Sequence, residues 1–154
     1  MKKIITLLAL FLFSGVFSCK KICACDPAQA YLFLVLKNTA NEDILNPLTP
    51  GYFSRSRISM YTQGTSGQIL PVNFDINPPI HKRVNAYQLR VSNIPAQVLF
   101  SPVMYVKIGD YAPMELKIKV SNDLRRIDEL LIDGKYVAPD KKSGLLSLFY
   151  FNLK

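Results

Sequence analysis

The sequence predicts an all-β domain, and three observations lead to this prediction. Much of the chain after residue 30 divides into short segments in which apolar and polar residues alternate, as in a half-buried strand. Turn-forming residues separate these segments at intervals of about ten residues, the strand spacing of β-sandwiches. The composition is that of a folded chain, with 49% hydrophobic and 19% charged residues among 154. We therefore expect one domain over residues 31–154.

The first predicted strand has no polar face. Residues 31–37 read YLFLVLK, so we expect a central strand that is covered on both sides. The segments that follow each have one apolar face, and Asn77-Pro78-Pro79 ends one of them because proline cannot donate to a sheet. Their inward-facing residues are Ile58 and Met60; Val72, Phe74 and Ile76; Tyr87, Leu89 and Val91; Met104, Val106 and Ile108; and Met114, Leu116, Ile118 and Val120.

The last part of the chain contains the clearest hairpin signal. An apolar run over 127–132 is followed by Asp133-Gly134 and a second run over 135–137. Asp-Gly favours a two-residue hairpin turn, since both turn residues need positive φ angles. A final apolar segment over 145–151 completes an antiparallel, immunoglobulin-like β-sandwich of about seven to nine strands. One alternative stays open, because residues 123–131 also have the apolar spacing of a short helix.

The first residues, MKKIITLLALFLFSGVFSC, have the order of a secretory signal peptide. Lys2 and Lys3 form a positive start, and the apolar run of about fourteen residues is too short for a comfortable membrane span. Val16-Phe17-Ser18-Cys19 then resembles the lipobox of bacterial lipoproteins, with an aliphatic residue three positions before the cysteine and a small residue directly before it. Phe17 is bulky for its position, so the motif is a relaxed one. The resemblance covers residues 1–19 only.

The resemblance implies cleavage before Cys19 and acylation of that cysteine. Residues 1–18 are then a signal peptide, and residues 19–30 form a short lipidated tether. Several acyl chains give stable anchoring, since a single chain binds only marginally. The implied partner is a lipid bilayer in the cell envelope, and we expect the outer membrane. Lys20-Lys21 slightly favours its periplasmic face, because acidic residues at this place mark export to the cell surface in some bacteria.

Two other interpretations of the cysteines stay open. Ile22-Cys23-Ala24-Cys25 also has the form of a lipobox, but Lys20-Lys21 separates it from the apolar run that a processing site should follow. Ordinary secretion with cleavage near Cys19 would leave the cysteines free. Cys23 and Cys25 can form a disulfide outside the cytoplasm, although its ring would be small and strained. The spacing does not fit the C-x2-C zinc motif, and we predict no metal site.

No catalytic template can be filled from the sequence. The only histidine, His81, lies in a polar segment, and there is no G-x-S-x-G motif, P-loop or dinucleotide fingerprint. The acidic pairs Glu42-Asp43 and Asp128-Glu129 are neighbours in sequence, and neighbours in a strand point to opposite faces. We therefore expect no catalytic residue and no cofactor. The alternative is a small envelope hydrolase with a carboxylate-based site.

The net charge of +8 is spread along the chain. Its densest basic points are Lys20-Lys21, His81-Lys82-Arg83, Arg125-Arg126 and Lys141-Lys142. Because these points lie far apart in sequence, we expect solvated surfaces in preference to a patch that attracts anionic lipid or an acidic polymer. We expect no nucleic acid as a partner, since an exported, membrane-tethered protein seldom meets it.

One segment has the composition of an interaction surface. Residues 46–57, NPLTPGYFSRSR, combine prolines, adjacent aromatic residues and arginines. Interfaces favour aromatic and arginine anchors, so the candidate binding residues are Tyr52, Phe53, Arg55 and Arg57. The alternative is that Tyr52 or Phe53 caps one end of the sandwich. We expect a non-enzymatic binding or structural module, with another envelope protein or a polymer as its partner.

Overall fold

The computed structural model describes residues 30–64, 66–79, 84–92, 94 and 103–153. These residues form ten β-strands and one 3₁₀ turn, Arg55–Arg57, which confirms the all-β prediction. The strands are β1 Leu32–Lys37, β2 Ile58–Gln63, β3 Ile69–Pro71, β4 Phe74–Asn77, β5 Gln88–Val91, β6 Val103–Ile108, β7 Met114–Val120, β8 Ile127–Ile132, β9 Lys135–Val137 and β10 Leu148–Asn152.

The strands form two sheets that pack face to face as a sandwich. One sheet has four strands in the order β10-β1-β5-β4, and the other has six in the order β3-β2-β6-β7-β8-β9. Neighbouring strands are antiparallel, except that β1 and β10 run parallel with Phe33 opposite Leu148. The chain therefore begins and ends its sheet structure side by side in the smaller sheet.

The inward faces of both sheets meet in one hydrophobic core. Leu34 and Phe149 from the smaller sheet are at most 1% exposed, as are Met104, Leu116 and Leu130 from the larger one. Burial of a side chain of this size stabilises the fold by about 1.5–3 kcal/mol. The alternation of the sequence thus identified the core face of the larger sheet correctly.

β1 is covered on both faces, as its sequence predicts. Its even-numbered residues face the main core, while Val35 packs on the outer face of the sheet against Val84, Ala86 and Leu148. The residues that cover the outer face of this sheet also bury part of β5. Gln88 is fully buried there, although the alternation predicts an outward-facing side chain. The side-chain amide of Gln88 donates to the carbonyl oxygen of Ala86.

The structure differs from the sequence prediction at two places. It has one strand more than the predicted range, because the edge strand β3 is exposed at all three of its residues and so shows no alternation. The alternative prediction of a short helix over residues 123–131 is wrong. The backbone N–H of Ser121 donates to the carbonyl of Arg126 across a turn, and Leu124 within this turn has a φ of 58°. A right-handed helix requires negative φ angles.

The Asp-Gly hairpin between β8 and β9 is confirmed. Asp133 and Gly134 have φ angles of 50° and 74°, and Ile132 pairs with Lys135 on either side of them. Two consecutive positive φ angles are what a tight hairpin turn requires.

The two ends of the sandwich carry different segments. The end where β1 and β10 begin is called the entry end. It carries Ala30, the turn 121–126 and the segment 140–147. The distal end is the one where β1 and β10 finish, beside the β6–β7 and β8–β9 turns. Since a strand rises by about 3.3 Å per residue, the ends are about 20 Å apart along β1.

Candidate functional site

Hydrogen bonds fasten the segment with the four predicted binding residues to the distal end. The carboxylate of Asp43 accepts the backbone N–H of Leu45 at 3.0 Å and that of Tyr87 at 2.6 Å. The N–H of Phe53 donates to the carbonyl of Ile44 at 2.8 Å. These bonds connect the segment to the chain just before β5 and hold Phe53 over the end of the core.

Phe53 and Arg57 come together at the distal end. The guanidinium carbon of Arg57 lies 4.7 Å from the centroid of the Phe53 ring, within cation–π distance. Tyr111 meets the same ring edge-on, at a centroid distance of 6.1 Å and an interplanar angle of 66°. Phe53 is partly buried and packs against the core at this end of the sandwich.

Gly109 allows Phe53 to approach the turn between β6 and β7. Its φ is 52°, and a Cβ at this position would lie only 2.5 Å from Cε1 of Phe53. The N–H of Gly109 also donates to the carbonyl of Arg57 at 2.7 Å. The turn and the predicted binding segment therefore form one structural unit.

Arg55 and Tyr52 lie outside this cluster. The Nε of Arg55 donates to the carbonyl of Phe74 at 3.2 Å, and its guanidinium carbon lies 4.6 Å from the centroid of the Phe74 ring. Arg55 thus connects the segment to the start of β4, which is a structural contact. Tyr52 is 39% exposed and offers an aromatic surface next to Phe53 in the chain.

Tyr111 also lines a groove that the sequence analysis did not predict. The groove has a volume of about 340 Å³ and lies between the β6–β7 turn, the β8–β9 turn and the end of β10. Its lining is largely apolar and includes Tyr111, Pro113, Met114, Ile132, Phe151 and Leu153. Because Tyr111 is 42% exposed and contacts Phe53, it makes the groove continuous with the predicted surface.

The charged groups around this surface are weakly paired. Nη2 of Arg57 lies 3.8 Å from a carboxylate oxygen of Asp110, and the two side chains are 50% and 104% exposed. An exposed pair of this kind contributes about 0–1 kcal/mol. The carboxylate of a partner can therefore replace Asp110 at little cost.

Three of the four acids that the sequence analysis considered for catalysis make structural contacts. Glu42 accepts a hydrogen bond of 2.8 Å from the side-chain amide of Asn38. Asp43 accepts the backbone N–H of Tyr87 and so fastens the segment that carries the predicted binding residues. Asp128 forms an exposed ion pair with Arg126 at 2.9 Å. Glu129 lies opposite Lys119 in the sheet. Glu42, Asp43 and Asp128 thus each form a hydrogen bond or an ion pair within the fold.

Two aspartates at the entry end have lowered pKa values. The hydroxyl of Ser121 and then the backbone N–H of Arg125 donate to Asp123 and lower the pKa of its carboxyl. Burial by itself raises the pKa of Asp140, but hydrogen bonds from Ser143 and Lys142 outweigh it, so the net direction is downward. A general acid needs the opposite shift, so neither carboxyl is prepared for that role.

Several predicted residues lie outside the described part of the chain. They are the leader 1–18, Cys19, Cys23, Cys25 and His81. Among the described residues, no three His, Cys, Asp or Glu side chains gather where they could hold a metal ion. In the same residues, no helix has the length and apolar character needed to cross a membrane. The anchor and the lack of a metal site or cofactor stay predictions.

Comparison with protein-family models, with curated proteins and with solved structures gives no significant match for this chain. Its function is therefore argued from its own residues.

Proposed function

We propose that this protein is a lipid-anchored lipoprotein of the bacterial cell envelope. In this proposal it binds another envelope protein or an envelope polymer through the distal end of its sandwich and catalyses no reaction. The anchor is acylated Cys19, which the leader and the relaxed lipobox indicate. The membrane is the outer membrane, with the domain on its periplasmic side.

One observation carries the binding part of this proposal: Phe53, Arg57 and Tyr111 lie together at the end opposite to the chain's entry. An anchor that precedes β1 is attached at the entry end of the domain. When that end faces the bilayer, the distal end lies about 20 Å farther out along β1, where a partner can approach it.

The chemistry of the distal end also suits a partner. Exposed tyrosines and an exposed arginine are the residue types that dominate binding free energy at interfaces. Beside them lies an apolar groove at the lower end of the ligand-pocket range of about 300–1,000 Å³, which can receive one protruding side chain or sugar ring. The hydrolase alternative gains no support from Glu42, Asp43 and Asp128, which make structural contacts, or from Asp123 and Asp140, whose pKa values are lowered.

The experiment is cross-linking in intact envelopes followed by affinity capture of the full-length protein. Wild type is compared with Tyr111→Ala and Arg57→Gln. Tyr150→Ala is the matched control, because Tyr150 is 39% exposed but lies on the outer face of the smaller sheet, where its ring is near Lys37. We expect one defined cross-linked species that both distal variants lose and the control keeps. A species that survives both distal changes, or none above background, contradicts the proposal.

A further inference from the structure

We propose that the entry end of the sandwich rests directly on the bilayer, as a surface of exposed leucines and basic side chains that binds anionic lipid. This inference rests on the proposed function, since the anchor is what brings the entry end to the membrane. It assigns a role to residues that the distal binding surface does not use.

The leucines lie on two turns that are joined to each other. Leu124 is 43% exposed in the β7–β8 turn, and Leu146 is 62% exposed in the turn before β10. The backbone N–H of Ile127 donates to Oγ of Ser147 at 2.7 Å and connects the two turns. Two large apolar side chains are therefore exposed at the same end, where they would enter the headgroup region of a bilayer.

The backbone at Leu124 indicates that its turn does not need a leucine. Its φ of 58° lies in the left-handed region, which is strained for a residue with a Cβ and unstrained for glycine. The hydrogen bonds that close the turn use backbone groups, including the N–H of Leu124 to the carbonyl of Ser121, and the carboxylate of Asp123, but not the Leu124 side chain. A leucine that neither fills the core nor suits its backbone points to a role for the exposed side chain.

Two basic pairs that are distant in sequence lie at this end. Arg125-Arg126 lies in the β7–β8 turn and Lys141-Lys142 in the segment before β10. Arg126, Lys141 and Leu146 line one groove of about 430 Å³. The sequence spacing predicted separate solvated charges, and the fold brings one member of each pair, Arg126 and Lys141, to the same groove. Cationic side chains near an anionic bilayer surface favour binding to it.

Three aspartates lie among these cations and reduce the net charge of the surface. Asp123 and Asp140 accept backbone N–H groups of their own turns, and Asp128 pairs with Arg126. Four basic against three acidic side chains leave an excess of one positive charge. Apolar insertion thus contributes most of the binding, and the cations favour anionic headgroups.

The length of the tether fits contact between this end and the bilayer. From Cys19 to Ala30 a fully extended chain would span at most about 40 Å, and any less extended chain would span less. A tether of this length allows the entry end to reach the headgroups.

Single tryptophans test the surface directly, because the chain contains none. The acylated full-length variants Leu124→Trp and Leu146→Trp are reconstituted into vesicles of phosphatidylcholine and phosphatidylglycerol with brominated acyl chains. Leu48→Trp is the control, since Leu48 is 90% exposed and belongs to the segment 46–57 at the distal end. We expect bromine to quench the two entry-end tryptophans about two-fold or more, as for side chains buried about 5–10 Å into the interface, and to leave the control unquenched.

Flotation of the same samples separates the possible failures. A protein that does not float with the vesicles contradicts the anchor, and the contact surface with it. A protein that floats, but whose tryptophans at 124 and 146 behave like the one at 48, contradicts the contact surface alone. Replacing phosphatidylglycerol by phosphatidylcholine should weaken the quenching, and equal quenching in both vesicles overturns the role of the basic pairs.

Discussion

Oγ of Ser147 accepts a hydrogen bond of 2.7 Å from the backbone N–H of Ile127, and this bond joins the two sheets at the entry end. The carbonyl of the same serine accepts the N–H of Phe33 at 3.0 Å. One buried residue thus connects the starts of β1, β8 and β10. It also fixes the turns that carry the exposed leucines relative to each other.

Ser147→Ala should destabilise the protein by about 1–3 kcal/mol, because it leaves the buried N–H of Ile127 without its acceptor. Urea unfolding followed by circular dichroism measures this loss. Ser59→Ala is the control, since Ser59 is exposed on β2 and its change should stay within about 0.5 kcal/mol. Equal stability of the two variants would show that the bond contributes nothing.

Gly109→Ala should destabilise the distal end for two reasons, the positive φ and the collision with Phe53. Gly51→Ala separates them, because Gly51 has a φ of 74° with nothing within 4 Å of an added Cβ. We expect about 1–2 kcal/mol for Gly51→Ala and about 1–3 kcal/mol more for Gly109→Ala, by urea unfolding. Equal losses would mean that Phe53 moves aside without cost.

Leu124→Asn should raise the free energy of unfolding by up to about 1 kcal/mol, since asparagine tolerates the left-handed region better than leucine. The same variant should lose part of its bilayer contact. Its control is Leu48→Asn, because Leu48 does not have a positive φ, and its stability should not change. Thermal unfolding compares the pair, and a destabilised Leu124→Asn would count against strain at this turn.

Asp140 should make stability depend on pH in a defined direction. Because the pKa of its carboxyl is lowered in the folded state, the charged form stabilises the fold at pH values above the unfolded pKa of 3.8. That contribution is lost as the pH falls through the folded pKa. Wild type should therefore be more stable than Asp140→Asn at pH 7, with the gap closing below pH 3.8. A gap that does not change between these pH values would contradict the assignment.

The alternation of the sequence predicts most strands because one face of each is buried. It predicts β7 and the Asp133-Gly134 hairpin well. It misses β3, because all three residues of that strand are exposed. It also misses the burial of Gln88, because residues that are distant in sequence cover the outer face of the sheet, and the pattern of the strand does not show this. The parallel pairing of β1 with β10 joins opposite ends of the domain, and no short pattern specifies it.

The candidate site was predicted only in part, for a similar reason. Phe53 and Arg57 stood out as aromatic and basic residues in a turn-rich segment, and they do meet. Tyr111 was missed, although it is the one aromatic residue in the turn sequence GDYAP. Arg55 has a structural contact with Phe74 that its sequence neighbours do not reveal. Proximity between distant segments depends on the fold, which local composition does not contain.

The anchor is the central claim of this account, and incorporation of alkyne-labelled palmitate into the full-length protein tests it most directly. Wild type, Cys19→Ala and Cys25→Ala are expressed in growing cells, and labelled protein is followed in the membrane fraction. We predict that wild type and Cys25→Ala carry the label, while Cys19→Ala carries none and leaves the membrane fraction. A Cys19→Ala protein that is still labelled and membrane-bound would contradict the account.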